Sequence, residues 1–100
     1  MVEIRWTAQA ADDLEAIAEF IASDSPHYAS LFCIEVLAAV ERLAIFPDRG
    51  RIVPEWSDPS IRELILGNYR IIYRRRGEIV ELLSVYHSSR LLDPDILNAE

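Results

Sequence analysis

The chain has 100 residues, is 51% hydrophobic and carries a net charge of −7 at neutral pH, which predicts one domain spanning 1–100 and excludes a disordered chain. Cys33 is the single cysteine, so no intrachain disulfide can form. No run approaches the ~20 apolar residues of a membrane span, and the start, MVEIRWTAQ, lacks the apolar run of a signal peptide, so we expect a cytoplasmic protein.

The first predicted elements are a strand and a helix. Apolar residues alternate with polar ones at Val2, Ile4 and Trp6. This alternation predicts a half-buried strand over residues 2–6. Thr7 can then cap a helix, because its hydroxyl can accept a hydrogen bond from a backbone N–H of the first turn. The apolar residues of that helix recur every three or four positions, at Leu14, Ile17 and Ile21. They predict one buried helical face.

A second helix is predicted to begin at Ser25-Pro26, since serine is a good N-cap and proline suits the first helical position. It runs to about Ile45 and stops before Pro47. The short break between the helices predicts an antiparallel helical hairpin. Two apolar stripes run along this helix, one of Phe32, Val36, Val40 and Leu43, the other of Leu31, Ile34 and Ala38. Either the helix lies between its partner helix and a sheet, or another protein covers part of it.

Residues 47–60 form a long connection with three prolines, and Ile52, Val53 and Trp56 indicate that it packs onto another part of the chain. The tail that follows Tyr86 carries four apolar residues: Leu91, Leu92, Ile96 and Leu97. It is predicted either to dock as a strand or helical turn, or to protrude as a binding segment.

Residues 61–90 predict three antiparallel strands joined by tight turns at Gly67-Asn68 and Arg76-Gly77, because glycine and asparagine accept positive φ at low cost. The fold class is therefore α+β: a strand, a helical hairpin and a three-stranded meander. Counting back from the turns pairs Leu66 with Tyr69, Leu64 with Ile71, and Arg62 with Tyr73. The same counting across the second turn pairs Tyr73 with Val80 and Ile71 with Leu82.

Side chains alternate between the faces of a sheet. The face predicted to lie under the helices carries Leu64, Leu66, Tyr69, Ile71, Tyr73, Val80, Leu82 and Tyr86. The face predicted to stay open carries Glu63, Arg70, Ile72, Arg74, Glu81, Leu83 and His87. A slip of one residue would exchange these faces.

Arg70, Arg74, His87 and Arg90 are the candidate site residues, with Arg62 on the other face. Arginines on an open face could hold phosphate while a histidine acts as general acid or base, as in a metal-free ribonuclease. Alternatively, Arg70 and Arg74 form cross-strand ion pairs with glutamates, Glu63 and Glu81. The sequence has no glycine-rich phosphate loop, and its two histidines lack the spacing of a metal site, so we expect neither cofactor nor metal.

Charge is unevenly distributed along the chain. Residues 1–48 hold nine acids against two arginines, whereas residues 49–100 hold eight acids and eight arginines, and lysine is absent. The lack of lysine reflects either genomic composition or a need for planar guanidinium groups. The overall acidity disfavours binding to nucleic acid, since that affinity comes largely from neutralising phosphates.

The order of elements resembles the RelE/ParE superfamily of bacterial toxins, closest to its ParE-like, plasmid-stabilisation branch. The residues that carry the resemblance are Trp6, Asp24–Pro26, Phe46–Pro47 with Gly50–Arg51, Ile61–Leu64, Gly67–Tyr73 and Val85–Arg90. This resemblance implies the toxin of a type II toxin–antitoxin module, which arrests growth unless a cognate ParD-like antitoxin binds it. The ParE branch poisons DNA gyrase, and the RelE branch cuts messenger RNA on the ribosome.

Particular residues and the net charge of the chain favour one of these two branches over the other. Arg70 and His87 match positions of the nuclease members, and with Arg90 they would be catalytic if this chain were a nuclease. The lysines of those nucleases are missing, however, and Glu63 stands where a basic residue is expected. The charge of −7 also opposes ribosome binding, so we expect a gyrase poison. The residues expected to bind target or antitoxin are Leu31, Ile34, Arg62, Arg70, Arg74, His87 and Arg90.

Overall fold

A computed structural model describes residues 1–98 of the chain; the last two residues of the predicted tail lie outside this range. Within it, two helices and five strands follow the order β1 (Glu3–Trp6), α1 (Ala8–Ala22), α2 (Pro26–Leu43), β2 (Arg51–Ile52), β3 (Ile61–Leu66), β4 (Tyr69–Arg76) and β5 (Ile79–His87). A 3-10 helix spans Pro94–Asn98. The strands form a sheet in the order β1-β5-β4-β3-β2, with β1 parallel to β5 and the other pairs antiparallel.

The predicted helical hairpin is confirmed. The Thr7 hydroxyl accepts the Ala10 N–H at the start of α1, and the Ser25 hydroxyl accepts the Tyr28 N–H at the start of α2. α2 ends at Leu43, slightly earlier than predicted. Its first apolar stripe packs against the sheet in a core of buried residues that includes Val36, Val40, Leu43, Ile71, Tyr73, Val80 and Leu82. None of the helices in the described range is both long and apolar enough to cross a membrane.

The first predicted turn is confirmed, and the second is shifted. Leu66 pairs with Tyr69, as the Gly67-Asn68 turn requires. At the second turn Arg76 pairs with Ile79, so Gly77 and Glu78 form the loop, and Gly77 has a φ of +58°. This shift of one position along the chain moves every pairing by two residues. Tyr73 accordingly pairs with Leu82, not with Val80 as predicted.

A β-bulge changes the end of β5. The register shifts between Ile72 and Tyr73, so that Ile71 pairs with Val85 and not with Leu82. One extra residue reverses the alternation of every side chain beyond it. As a result Tyr86 lies opposite Arg70, and His87 lies opposite Tyr69 on the helix-facing side. The predicted faces of Tyr86 and His87 were therefore wrong, because the counting assumed a strand without a bulge.

The sheet face that carries Arg70 and Arg74 is not open, which contradicts the prediction. A second core of buried residues lies there, formed by Val53, Ile61, Ile72, Leu83 and Ile96, with Trp56, Leu92 and Leu97 packed against it. Both the connection 47–60 and the 3-10 helix therefore cover this face. The predicted packing of the connection is confirmed, and the tail docks as a helical turn through Leu92, Ile96 and Leu97, whereas Leu91 is 92% exposed. The short strand β2 was not predicted.

Tyr73 hydrogen-bonds the start of the connection 47–60 to the sheet. Its hydroxyl donates to the Pro47 carbonyl at 2.8 Å and accepts the Gly50 N–H at 2.9 Å. Burial raises the pKa of the Tyr73 hydroxyl, which therefore stays neutral. A Cβ atom at Gly50 would lie 2.6 Å from the Tyr73 oxygen and 2.7 Å from the Glu63 carbonyl oxygen. Only glycine allows the backbone at position 50 to lie this close to Tyr73 and Glu63 without displacing them.

We expect Gly50→Ala to lower the free energy of unfolding by about 1–3 kcal/mol, because the added methyl group overpacks the buried contact. Urea denaturation measures the change. In Gly50→Ala/Tyr73→Phe the clash with the hydroxyl is gone, so the loss should be smaller than the sum of the two single losses. A strictly additive double variant would contradict this account of the glycine.

Candidate functional site

Arg70 belongs to a buried ion-pair network. The side chain of Glu63 is 0% exposed and lies between Arg70 Nε and Arg51 Nε, the latter 2.7 Å away. The two terminal nitrogens of Arg70 bind the carboxylate of Glu55 at 2.7 and 2.9 Å. This hydrogen-bonded contact with Arg70 lowers the pKa of the Glu55 carboxyl. The guanidinium is thus engaged on all three nitrogens by two carboxylates, which is the ion-pair alternative raised from the sequence.

Arg74 has a comparable role at the other end of the covered face. Its Nε lies 3.3 Å from a carboxylate oxygen of Glu81, and its Nη1 donates to the Leu97 carbonyl at 2.9 Å. The side chain is 11% exposed. Arg74 therefore holds the 3-10 helix against the sheet, and the predicted pair with Glu81 is confirmed.

Arg62 lies on the helix-facing side of β3, as predicted, and binds backbone carbonyls. Its donors reach Gly50 at 3.0 Å, Pro59 at 3.1 Å and Asp48 at 3.4 Å. These bonds join both ends of the connection 47–60 to the sheet. In residues 1–98, the arginines whose side chains have no hydrogen-bonded or ion-pair partner are Arg42, Arg49 and Arg90.

His87 and Arg90 line a half-enclosed pocket on the opposite side of the sheet from Arg70. The pocket has a volume of about 370 Å³, and its lining comprises Asp13, Ala16, Ile17, Phe20, Tyr69, Val85, His87 and Arg90. The His87 ring meets the Tyr69 ring edge-on, with centroids 5.1 Å apart. Its Nδ1 accepts the Ser89 N–H at 3.1 Å, so the neutral ring carries its proton on Nε2.

Asp13 was not predicted as a site residue. Its carboxylate accepts the Ser84 hydroxyl at 2.6 Å and the Val85 N–H at 3.1 Å, next to the bulge in β5. Its second oxygen accepts the Gln9 side-chain amide at 2.6 Å. Asp13 lies four residues before Ile17 and so at the edge of the apolar face of α1. This position could have identified Asp13 from the sequence, because a carboxylate next to buried apolar residues needs hydrogen-bond donors from the fold.

The second apolar stripe of α2 is exposed. Leu31, Ile34 and Leu37 are 39%, 63% and 47% exposed. Next to them a shallow groove of about 580 Å³ runs between α1 and α2, with small residues such as Ala18, Ala22, Ala29 and Cys33 in its walls. These three side chains and the groove form one exposed apolar surface on the outer side of the helical hairpin.

The predicted site residues therefore fall into three separate places. Arg62, Arg70 and Arg74 are bonded within the fold, His87 and Arg90 share the pocket, and Leu31 and Ile34 lie on the outer face of α2. The proposed grouping of Arg70 with His87 on one open face was wrong. Among the residues that the structure describes, no three histidine, cysteine or acidic side chains converge as a metal site would require.

Comparison with known proteins agrees with this fold. The family model described as the ParE toxin of the type II toxin–antitoxin system, parDE, matches residues 4–92 of the sequence. Toxin RelE2 of Caulobacter vibrioides is 32% identical over 92 residues, which cover 91% of this chain and 100% of that protein. Putative toxin Y4kP of Sinorhizobium fredii is 37% identical over 87 residues, covering 85% of this chain and 86% of that protein.

A solved structure shares the architecture. A chain of the chromosomal ParDE TA system from P. aeruginosa superposes with a TM-score of 0.71 at 24% identity, covering 87% of this chain and 96% of that one. The family match extends over most of the chain and includes the pocket, the helical hairpin and the arginine network. The chain therefore belongs to the ParE toxin family, within the RelE/ParE superfamily, and is the toxin of a type II toxin–antitoxin module.

Proposed function

We propose that this toxin arrests growth by binding DNA gyrase, that it does not cleave RNA, and that a ParD-like antitoxin neutralises it. The observation that carries the proposal is the state of Arg70. All three of its guanidinium nitrogens bind carboxylates, and its side chain is 9% exposed. An arginine in this state stabilises the fold, and its two remaining N–H groups lie on nitrogens that already bind Glu55. Gyrase and antitoxin would both be met in the cytoplasm.

RNA cleavage would require Arg70 and His87 to act on one phosphate. The two side chains lie on opposite faces of the sheet, and the face of Arg70 is covered by the second core. Turning Arg70 toward RNA would also leave the buried carboxylate of Glu63 without one of its two partners, which costs several kcal/mol. A charge of −7 further weakens contact with ribosomal RNA. These features support an inhibitor that binds a protein target.

The antitoxin is proposed to lay an amphipathic helix along the outer face of α2. Leu31, Ile34 and Leu37 supply apolar contacts, and the groove beside α1 supplies a concave surface for the side chains of that helix. The name of the P. aeruginosa neighbour, a ParDE system, supports an antitoxin partner of this kind. A short reading frame next to the gene would be the first candidate for the antitoxin.

Purified toxin should inhibit supercoiling of relaxed plasmid by purified gyrase. Stopping the reaction with detergent and protease should release linear DNA, because the poisoned enzyme holds cleaved strands. The parallel assay supplies translating ribosomes and maps breaks in messenger RNA by primer extension. His87→Ala tests for general acid–base catalysis, with His27→Ala as its control at an exposed histidine. Cleavage of messenger RNA that is lost in His87→Ala but not in His27→Ala would overturn the proposal.

A further inference from the structure

The pocket at His87 is separate from the groove between the helices. Its walls on α1 include Asp13, Ile17 and Phe20, whereas the groove takes Ala18 and Ala22 from the same helix. At 3.6 residues per turn these two sets lie on opposite flanks of α1. A helix seated in the groove would therefore leave the pocket open.

The chemistry of the pocket is apolar at its walls and donor-rich at its rim. Ile17, Phe20 and Val85 form apolar walls, and Phe20 is 75% exposed although it is large and aromatic. The Asp13 carboxylate is held in place by hydrogen bonds from Gln9, Ser84 and Val85. The remaining polar groups are the guanidinium of Arg90 and the imidazole of His87.

Both of those groups suit an incoming acceptor. His87 Nδ1 is occupied by the Ser89 N–H, which leaves its other ring nitrogen as a donor. Arg90 has no partner among residues 1–98, on a chain whose net charge is −7 and whose sheet arginines are mostly paired internally. Arg90 and His87 thus offer two donors to an acidic partner, on a chain whose net negative charge otherwise repels it.

We propose that this pocket is a second anchor for the antitoxin and receives an extended segment with a large apolar side chain next to a carboxylate. The apolar side chain packs between Phe20 and Val85, and the carboxylate accepts from Arg90 and His87. The identity of the partner rests on the proposed function. Because a path around half of the circumference of α1, which is about 10 Å wide, is about 16 Å long, about five extended residues are needed to connect this segment to a helix in the groove.

A short peptide tests the pocket without the antitoxin. The probe is acetyl-Phe-Glu-amide, titrated into isotope-labelled toxin up to about 10 mM, with acetyl-Phe-Gln-amide as the neutral match. We expect NMR shifts at Tyr69, Val85 and His87, and about 3-fold weaker binding of the glutamine peptide. Absence of shifts with the acidic peptide would overturn the proposal, and equal binding of both peptides would overturn its carboxylate part.

A filled pocket supplies the second readout. Ala16→Trp places an indole in the pocket from an exposed position, and Ile65→Trp places one on the exposed surface of β3, outside both the pocket and the groove. Ala16→Trp should abolish the peptide shifts and weaken the antitoxin complex about 10-fold or more, whereas Ile65→Trp should do neither. If no antitoxin binds wild-type toxin, the proposed function is wrong. The peptide titration then still tests whether the pocket binds an acidic segment. If both variants bind the antitoxin equally well, the pocket is not a second anchor for it, and the proposed function is unaffected.

Discussion

Replacing Glu63 by alanine should lower the free energy of unfolding by about 3–5 kcal/mol. The Glu63 side chain is completely buried, and it is the carboxylate shared by Arg51 and Arg70. Removing it leaves the buried Nε of Arg70 facing a cavity. Glu55 cannot take its place, because it binds the other two nitrogens of Arg70. Urea denaturation followed by circular dichroism measures the loss.

Two further variants identify the cause of that loss. Glu78→Ala removes an exposed glutamate from the second hairpin turn and should change stability by less than about 0.5 kcal/mol. Glu63→Leu/Arg70→Met replaces the buried pair by apolar side chains of similar size and should recover most of the stability. If Glu63→Ala costs no more than Glu78→Ala, the network contributes little to the fold, and Arg70 becomes available for other chemistry.

The double variant Leu31→Glu/Ile34→Glu should weaken the toxin–antitoxin complex about 100-fold, or roughly 3 kcal/mol, without destabilising the toxin. Both side chains are exposed in the free toxin, so glutamates there remain hydrated until the antitoxin helix covers them. Burying two carboxylates against an apolar helix face is then costly. Isothermal titration of wild-type and variant toxin with the antitoxin measures the change in Kd.

The control for this variant is Ile65→Glu, since Ile65 is 54% exposed on β3, away from the helical hairpin. It should leave the antitoxin affinity unchanged. Thermal melts of all three proteins show whether they remain folded. Unfolding of the double variant would mean that the second stripe of α2 belongs to the core, and an unchanged Kd would place the antitoxin on another surface.

Local sequence patterns predicted both helices and the strands β1, β3, β4 and β5, because the causes of these elements lie within a few residues. Thr7 and Ser25 cap the helices through their own next turn, and Gly67 supplies the backbone freedom of the first hairpin. The two stripes of α2 could also be separated by helical periodicity, and Val36 and Ile34 lie on the buried and exposed sides respectively. The ion pair of Arg74 with Glu81 was anticipated because both residues were placed on one face of the sheet, although the predicted register set Glu81 opposite Ile72 and the structure sets it opposite Arg74.

The sequence by itself determined the α+β architecture, the helical hairpin and the family resemblance. Only the tertiary structure decided which residues share a site. The bulge in β5 moved His87 to the helix-facing side, since one unpaired residue reverses the alternation beyond it. The connection 47–60 brought Glu55 to Arg70 across the second core. Neither event has a local cause: both depend on packing between residues distant in the chain, which strand alternation and helical periodicity do not encode.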